Sequence, residues 1–278
     1  MKTIHSLYAV VAALSLTACA DVPDLPPRRL VIEGTFDSGG YPDVIVTLSI
    51  PADGSEVDVS EALMRWATVT ISDNTGREVI LTGGPSKKHF PPYHYYSYDI
   101  KGEPGRTYTL TARYRDLLAT STAYMPYPTP ITGTRTHPVE GNDTLRSLEV
   151  LFTAPDDCPA YYHVSTQLLG SDLRPLPATL GIVEANTPGE AMSFTAMRAK
   201  TSTDTLDYTP YFPIDSEVRV KLERVDKPAY DFWKMFSNSA LFGSSEFFDS
   251  SFSLPSNIEG GYGIWSPAGT STVIVKMD

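Results

Sequence analysis

The chain has 278 residues, of which 41% are hydrophobic and 11% aromatic, enough apolar material for one large or two ordinary cores. Its formal net charge of −11 argues against nucleic acid, whose phosphates require a basic face, and against docking on anionic lipid headgroups. The 2 cysteines are Cys19 and Cys158, so acylation of the first leaves the second without an intramolecular disulfide partner.

The N-terminus sets the expected compartment. Lys2 precedes an apolar run from Leu7 to Leu16, interrupted by Tyr8 and Ser15, which closes on Leu16-Thr17-Ala18-Cys19. The run is shorter than the roughly 20 residues that span a bilayer, and it has the length of a signal-peptide core. Small residues before a cysteine fit a narrow peptidase cleft and offer a thiol for lipid transfer. This arrangement resembles the bacterial lipobox, so residues 1–18 are predicted to be a signal peptide and Cys19 the acylated start of the mature chain. One acyl chain anchors only marginally, at about 0.8 kcal/mol per buried CH₂, whereas two or more hold a protein durably. Residues 19–28, rich in proline and carrying Asp21 and Asp24, read as an extended tether.

Period-two alternation follows. Val44, Val46, Leu48 and Ile50 alternate with Ile45, Thr47 and Ser49. The stretch Trp66 to Ser72 alternates again, turns through Asp73-Asn74-Thr75-Gly76 and returns at Arg77 to Leu81, which predicts a hairpin. Tyr95 to Ile100 precedes a turn at Lys101 to Arg106. Thr107 to Tyr114 then sets Tyr108, Leu110, Ala112 and Tyr114 on one face. Short strands at this spacing predict a β-sandwich over residues 29–127. Met125-Pro126-Tyr127-Pro128-Thr129-Pro130 marks a boundary, because prolines at alternate positions cannot occupy a central strand.

Residues 128–278 are expected to form a second β-rich domain. Its inward faces are Leu148, Val150 and Phe152; Tyr162, Val164, Thr166 and Leu168; and Val218, Val220 and Leu222. One helix is expected near 227–242, capped by Asp226, with Pro228 in its first turn and Ala229, Phe232, Trp233, Phe236 and Ala240 at helical spacing. Gly243 is its expected stop, and a last strand is expected over Thr272 to Met277.

Several of these segments resemble a lipoprotein family common in the Bacteroidota and catalogued as domain-of-unknown-function family 4249. They are Leu30-Val31-Ile32-Glu33-Gly34, Ala67 to Asp73, Gly102 to Leu110, and the Thr/Ser-rich stretch Ala119 to Tyr124 ending at Met125-Pro126. Near the C-terminus, Asn257-Ile258-Glu259-Gly260-Gly261-Tyr262-Gly263-Ile264-Trp265 resembles the family's Asn-x-x-Gly-Gly-x-Gly-x-aromatic signature. The resemblance implies a predominantly β chain whose first domain is immunoglobulin-like or transthyretin-like. It also implies an outer-membrane lipoprotein of the kind often encoded beside TonB-dependent transporters, and it brings no established activity. Acidic residues just after the lipidated cysteine accompany surface export in that phylum. Here Asp21 and Asp24 are interrupted, which leaves the cell surface and the periplasmic face both open.

Among candidate site residues, the aromatic segment containing Tyr93, His94, Tyr95, Tyr96 and Tyr98 is the most suggestive. Aromatic faces stack on sugars or other flat ligands, and Pro91-Pro92 stiffens the loop. Ordinary strand aromatics are the simpler reading of the same residues. His89 and His94, with Asp99 nearby, fall short of a metal set on ligand count, so no metal and no cofactor is expected. Gly260, Gly261 and Gly263 lack the Lys-Ser/Thr of a phosphate loop and read as a structural bend. Asp73 and Asn74 lack the later acids of a calcium loop.

Cys158 sits in a turn with only His163 near it in sequence, which argues against a nucleophilic role. Acid pairs such as Asp156-Asp157 or Asp204 and Asp207 read as solvated turns. No nucleophile elbow, zinc-protease helix or supported Ser-His-Asp set is found. The expectation is a non-enzymatic binding or accessory component of a TonB-dependent uptake system, with a glycan or other nutrient as ligand and a transporter as partner. A structural or adhesive surface protein is the second reading, and an unrecognised hydrolase the third.

Overall fold

The computed structural model describes residues 27–50, 62–200, 208–242 and 254–278. The predicted signal peptide, Cys19, most of the tether, Asp204, Asp207 and Gly243 lie outside the described residues. The chain is mainly β. Its strands are β1 (Leu30–Asp37), β2 (Pro42–Leu48), β3 (Thr68–Asp73), β4 (Glu78–Ile80), β5 (Thr82–Pro85), β6 (Tyr93–Tyr96), β7 (Thr107–Tyr114), β8 (Leu117–Tyr124), β9 (Ile131–Val139), β10 (Asn142–Thr153), β11 (Ala160–Leu168), β12 (Leu176–Ala185), β13 (Ala191–Ala196), β14 (Phe212–Pro213), β15 (Glu217–Val225) and β16 (Gly261–Lys276). A helix, α1 (Lys227–Phe242), lies between β15 and β16.

Alternation along each strand decides which residues leave water. In the first half, Leu30, Ile32 and Phe36 of β1 and Val44 and Val46 of β2 pack against Val69 and Ile71 of β3 and Tyr108, Leu110 and Ala112 of β7. The core therefore lies between the sheet that carries β1-β2-β6-β5 and the sheet β4-β3-β7-β8. The predicted hairpin is present, with Thr70 opposite Ile80. Its turn is held by the Asp73 carboxylate, which accepts hydrogen bonds from the Thr75 and Arg77 backbone amides. Trp66 departs from expectation: it precedes β3 and is 85% exposed.

The second half repeats the logic. Leu148, Val150 and Phe152 of β10 meet Tyr162 and Val164 of β11 and Val218, Val220 and Leu222 of β15. Residues 125–130 carry no strand, yet they are not a loose linker, since Thr129 Oγ1 and the buried Tyr162 hydroxyl hydrogen-bond at 2.9 Å. Cys158 packs against this second core and donates from Sγ to the Pro155 carbonyl at 3.1 Å.

The largest departure from the sequence reading is at the C-terminus. The last strand is not Thr272 to Met277 but Gly261–Lys276, and it serves both halves. Its first part, Gly261 to Ala268, pairs parallel with β1; its second, Gly269 to Lys276, pairs antiparallel with β15. One eight-stranded sheet results, in the order β12-β11-β15-β16-β1-β2-β6-β5. The division at residue 127/128 is therefore crossed, because Ile258 and Trp265 complete the first core.

The glycine signature is built into this crossing. Gly263 has φ +105°, and a Cβ there would collide with the Ile32 carbonyl oxygen. Gly34 lies opposite Trp265 in the register, where a Cβ would stand 2.7 Å from the indole Cε3. The Asn257 side chain closes the motif, donating to the Trp265 carbonyl at 2.7 Å and accepting from the Trp265 amide at 2.9 Å. The expected bend at residues 260–263 is in fact the entry to a strand whose glycines permit close backbone approach.

Helix α1 starts where predicted. Asp226 Oδ1 accepts from the Ala229 amide at 3.0 Å, an N-cap that satisfies one donor of the first turn. Ala229, Tyr230, Phe232 and Trp233 form its buried stripe and meet Val225, Ile264 and Ala268 on the outer face of the large sheet.

Candidate functional site

With Tyr162 and Val164 turned into the second core, the intervening residues of β11 must face the other side of the sheet. Those residues are His163, Ser165 and Gln167. On β15, Glu223 stands directly across from His163, and Lys221 from Ser165. Helix α1 covers part of this face, its Trp233 ring stacked on the His163 imidazole at 4.3 Å and 11°.

A buried charge network follows from that placement. Lys221 Nζ donates to Asp37 Oδ2 at 2.8 Å and to Glu223 Oε1 at 3.0 Å. Ser165 Oγ donates to Glu223 Oε2 at 2.5 Å, and His163 Nδ1 lies 3.1 Å from the same oxygen. Thr270 Oγ1 donates to Asp37 Oδ1 at 2.9 Å. Burial by itself raises the Glu223 carboxyl, but the Lys221 ammonium, the His163 ring and the Ser165 hydroxyl outweigh it and hold the group far below the usual carboxylate range. Burial likewise lowers the Lys221 amine, and Glu223 and Asp37 reverse that effect and push it above its ordinary value. Both groups are ionised at neutral pH.

Beside the network lies a cavity of about 760 Å³, lined by β1, β12, α1 and the start of β16. Its walls are largely apolar, with Val31, Leu176, Ile182, Phe232, Trp233 and Tyr262 among them, while Glu33, Arg174 and Lys200 supply charge. His163, 6% exposed, lines it too, and its Nε2 is buried with no hydrogen-bond partner among the described residues. With Nδ1 facing Glu223, Nε2 is the ring's remaining polar atom. A second cleft of about 400 Å³ shares His163, Arg174 and Trp233 and continues to Asp37, Tyr41 and Asp43. The combination is an apolar chamber with one oriented imidazole nitrogen and a few charges, the usual anatomy of a small-molecule site.

The aromatic segment is divided by its own alternation. Tyr95 is buried in the first core, and its hydroxyl donates to the Met64 carbonyl at 2.7 Å and accepts from the Ala67 amide at 3.0 Å. Tyr93 packs beside it, with ring centroids 5.7 Å apart. Tyr95 is thus a core residue, not a ligand contact, because its strand position points inward. His94 and Tyr96 occupy the opposite face, stacked at 4.9 Å, and Tyr98 continues the row edge-on at 5.4 Å. Only part of the predicted set shares one surface.

On that surface Asp43 of β2 accepts from both histidines. Oδ2 lies 2.9 Å from His89 Nε2, and Oδ1 lies 2.7 Å from His94 Nδ1. Burial raises the Asp43 carboxyl, but the hydrogen bonds and charge of the two rings prevail and hold it below its ordinary value. Asp43, not Asp99, is the acid that joins these histidines.

Sequence reasoning missed His163, Glu223, Lys221 and Asp43. A usable signal was present for the first three: the polar positions His163, Ser165, Lys221 and Glu223 alternate with core residues on strands whose outer face a helix with an aromatic stripe must cover.

Against known protein families, residues 18–272 match one described as "Domain of unknown function (DUF4249)". No curated protein matches the chain.

Proposed function

The chain belongs to the DUF4249 family, whose description assigns no activity, and we propose that it is an outer-membrane lipoprotein, acylated at Cys19, acting as a non-enzymatic binding component of a TonB-dependent nutrient-uptake system. The observation that carries the binding reading is the 760 Å³ cavity with His163 Nε2 unpartnered at its wall. Its chemistry suits a small nutrient with an apolar, ring-sized body and one polar group that hydrogen-bonds an imidazole nitrogen. The anchoring reading rests on the Leu16 to Cys19 sequence, and no helix among the described residues is long and apolar enough to cross a membrane.

The arrangement of the polar groups favours binding over hydrolysis. A nucleophile activated by His163 would have to hydrogen-bond its Nε2, whereas Ser165 Oγ is committed to Glu223 and Cys158 Sγ to the Pro155 carbonyl. Glu223 is itself held by Lys221.

The decisive experiment is purification of the full-length protein from detergent-solubilised outer membranes at native expression. A transporter is expected to co-purify, and Cys19→Ser is expected to leave the membrane fraction. Recovery only as a free monomer overturns the uptake role. For the cavity, the fluorophore anilinonaphthalene sulfonate is expected to bind at one site. Leu176→Trp, which fills space at the wall, should weaken it by about tenfold or more, about 1.4 kcal/mol, without lowering the melting temperature. Equal affinity in the variant would place the probe elsewhere.

A further inference from the structure

Independently of the cavity, we propose that Asp43, His89 and His94 form a binding site for a divalent first-row transition metal. One donor atom from each residue lies within 4.8 Å of the other two. Bonds of about 2.0–2.1 Å to a tetrahedral Zn²⁺ separate ligand atoms by about 3.3 Å. Closing the set on a single ion requires rotation of Asp43 and His94, the two more exposed members.

The surroundings fit a coordinating role. The carboxylate presents each oxygen to a different imidazole nitrogen, so three groups that bind metals stand side by side. Metal-bound imidazoles are oriented through their far nitrogen, and His89 Nδ1 makes that contact with Ser86 Oγ at 2.7 Å. The two rings stack on one another at 4.7 Å, and His94 stacks on Tyr96, which limits their swing. Asp43 on β2 and His94 on β6 are fixed relative to one another, since Asp43 is paired with Tyr96.

The donor set also states which ions it takes. Two imidazole nitrogens and one carboxylate suit Zn²⁺, Co²⁺, Ni²⁺ or Cu²⁺, while Ca²⁺ and Mg²⁺ favour oxygen shells. Three protein ligands leave a fourth position for water or an exogenous group. Asp43 also lines the 400 Å³ cleft that runs on to Lys221 and Glu223.

The test is calorimetric titration of the full-length chelator-treated protein with Zn²⁺ alone, repeated with Ca²⁺. One equivalent of Zn²⁺ is expected to bind, with no binding of Ca²⁺ at the same concentrations. His94→Gln is expected to weaken Zn²⁺ by about 100-fold or more, beyond the roughly 10–100-fold that loss of an outer-sphere partner brings. His137→Gln, on an exposed ring paired with Glu149, should leave the affinity unchanged. Bound Co²⁺ should show visible absorption that His94→Gln abolishes, and Asp43→Asn provides a second variant should His94→Gln fold poorly. Absence of Zn²⁺ binding, or Zn²⁺ held equally well by both variants, overturns the site.

Discussion

Replacing Trp265 with alanine is expected to lower the unfolding free energy by about 3–5 kcal/mol, the range for truncating a large aromatic in a close-packed core. Trp265 is fully buried, stacked near Phe36 with centroids 6.0 Å apart, and its Nε1 donates to the Tyr108 carbonyl at 3.0 Å. Its ring fills the space that Gly34 leaves open on β1. Truncation removes the packing, opens a void between the two sheets and leaves the Tyr108 carbonyl without that donor. Because Trp265 sits in the part of β16 that pairs with β1, the damage falls where the two halves are joined. Urea unfolding measures it as a lower midpoint. Trp66→Ala is the control: that ring is largely in solvent, and its loss should change stability by no more than about 0.5 kcal/mol. Comparable effects for the two tryptophans would refute the placement of Trp265.

A second large effect is expected from Lys221→Met, which removes the cation between Asp37 and Glu223. Breaking a buried ion pair from one side typically destabilises by about 3–5 kcal/mol, because the remaining charge has neither water nor partner. The pH dependence distinguishes this from simple loss of packing. In the wild type the folded-state carboxyl of Glu223 is depressed. Its contribution is therefore present above the ordinary value of 4.5 and is lost as pH falls below it. Lys221 is shifted upwards, so its contribution is complete below 10.5 and disappears only in stronger alkali.

The pair thus supports a plateau of stability across neutral pH, with a decline on the acid side. Without Lys221, the burial of Glu223 loses the largest contribution opposing it, so the carboxyl rises from its wild-type position and takes up a proton at a higher pH. The deficit of the variant should accordingly shrink as pH falls from neutral towards 5. Unfolding curves at pH 5 and pH 7.5 give the comparison, and a deficit independent of pH would overturn the ion-pair account of Lys221.

What could be read from the chain by itself was local. The inward faces of β7, β10, β11 and β15 follow from alternation, since successive side chains of a strand point to opposite sides. Helix α1 follows from the Asp226 cap and the spacing of Ala229, Phe232 and Trp233. The family signature around Asn257 to Trp265 was visible as well, but its purpose was not. A glycine-rich stretch reads as a bend unless a remote strand demands close approach, and β1 lies more than 200 residues away.

The site was legible to the same limited degree. Alternation shows that His163 and Glu223 point away from the core but not that they oppose each other, because strand register is a property of pairing, not of either strand. His89 and His94 stood out, whereas Asp43, 46 and 51 residues distant from them, had nothing local to mark it. Composition and periodicity determined a β chain whose described residues hold two apolar cores and a capped helix. Tertiary pairing decided that β16 joins both halves, that Lys221 is shared by Asp37 and Glu223, and where the cavity opens. Each of those depends on backbone hydrogen bonds between strands far apart in the chain, which no short window of residues can specify.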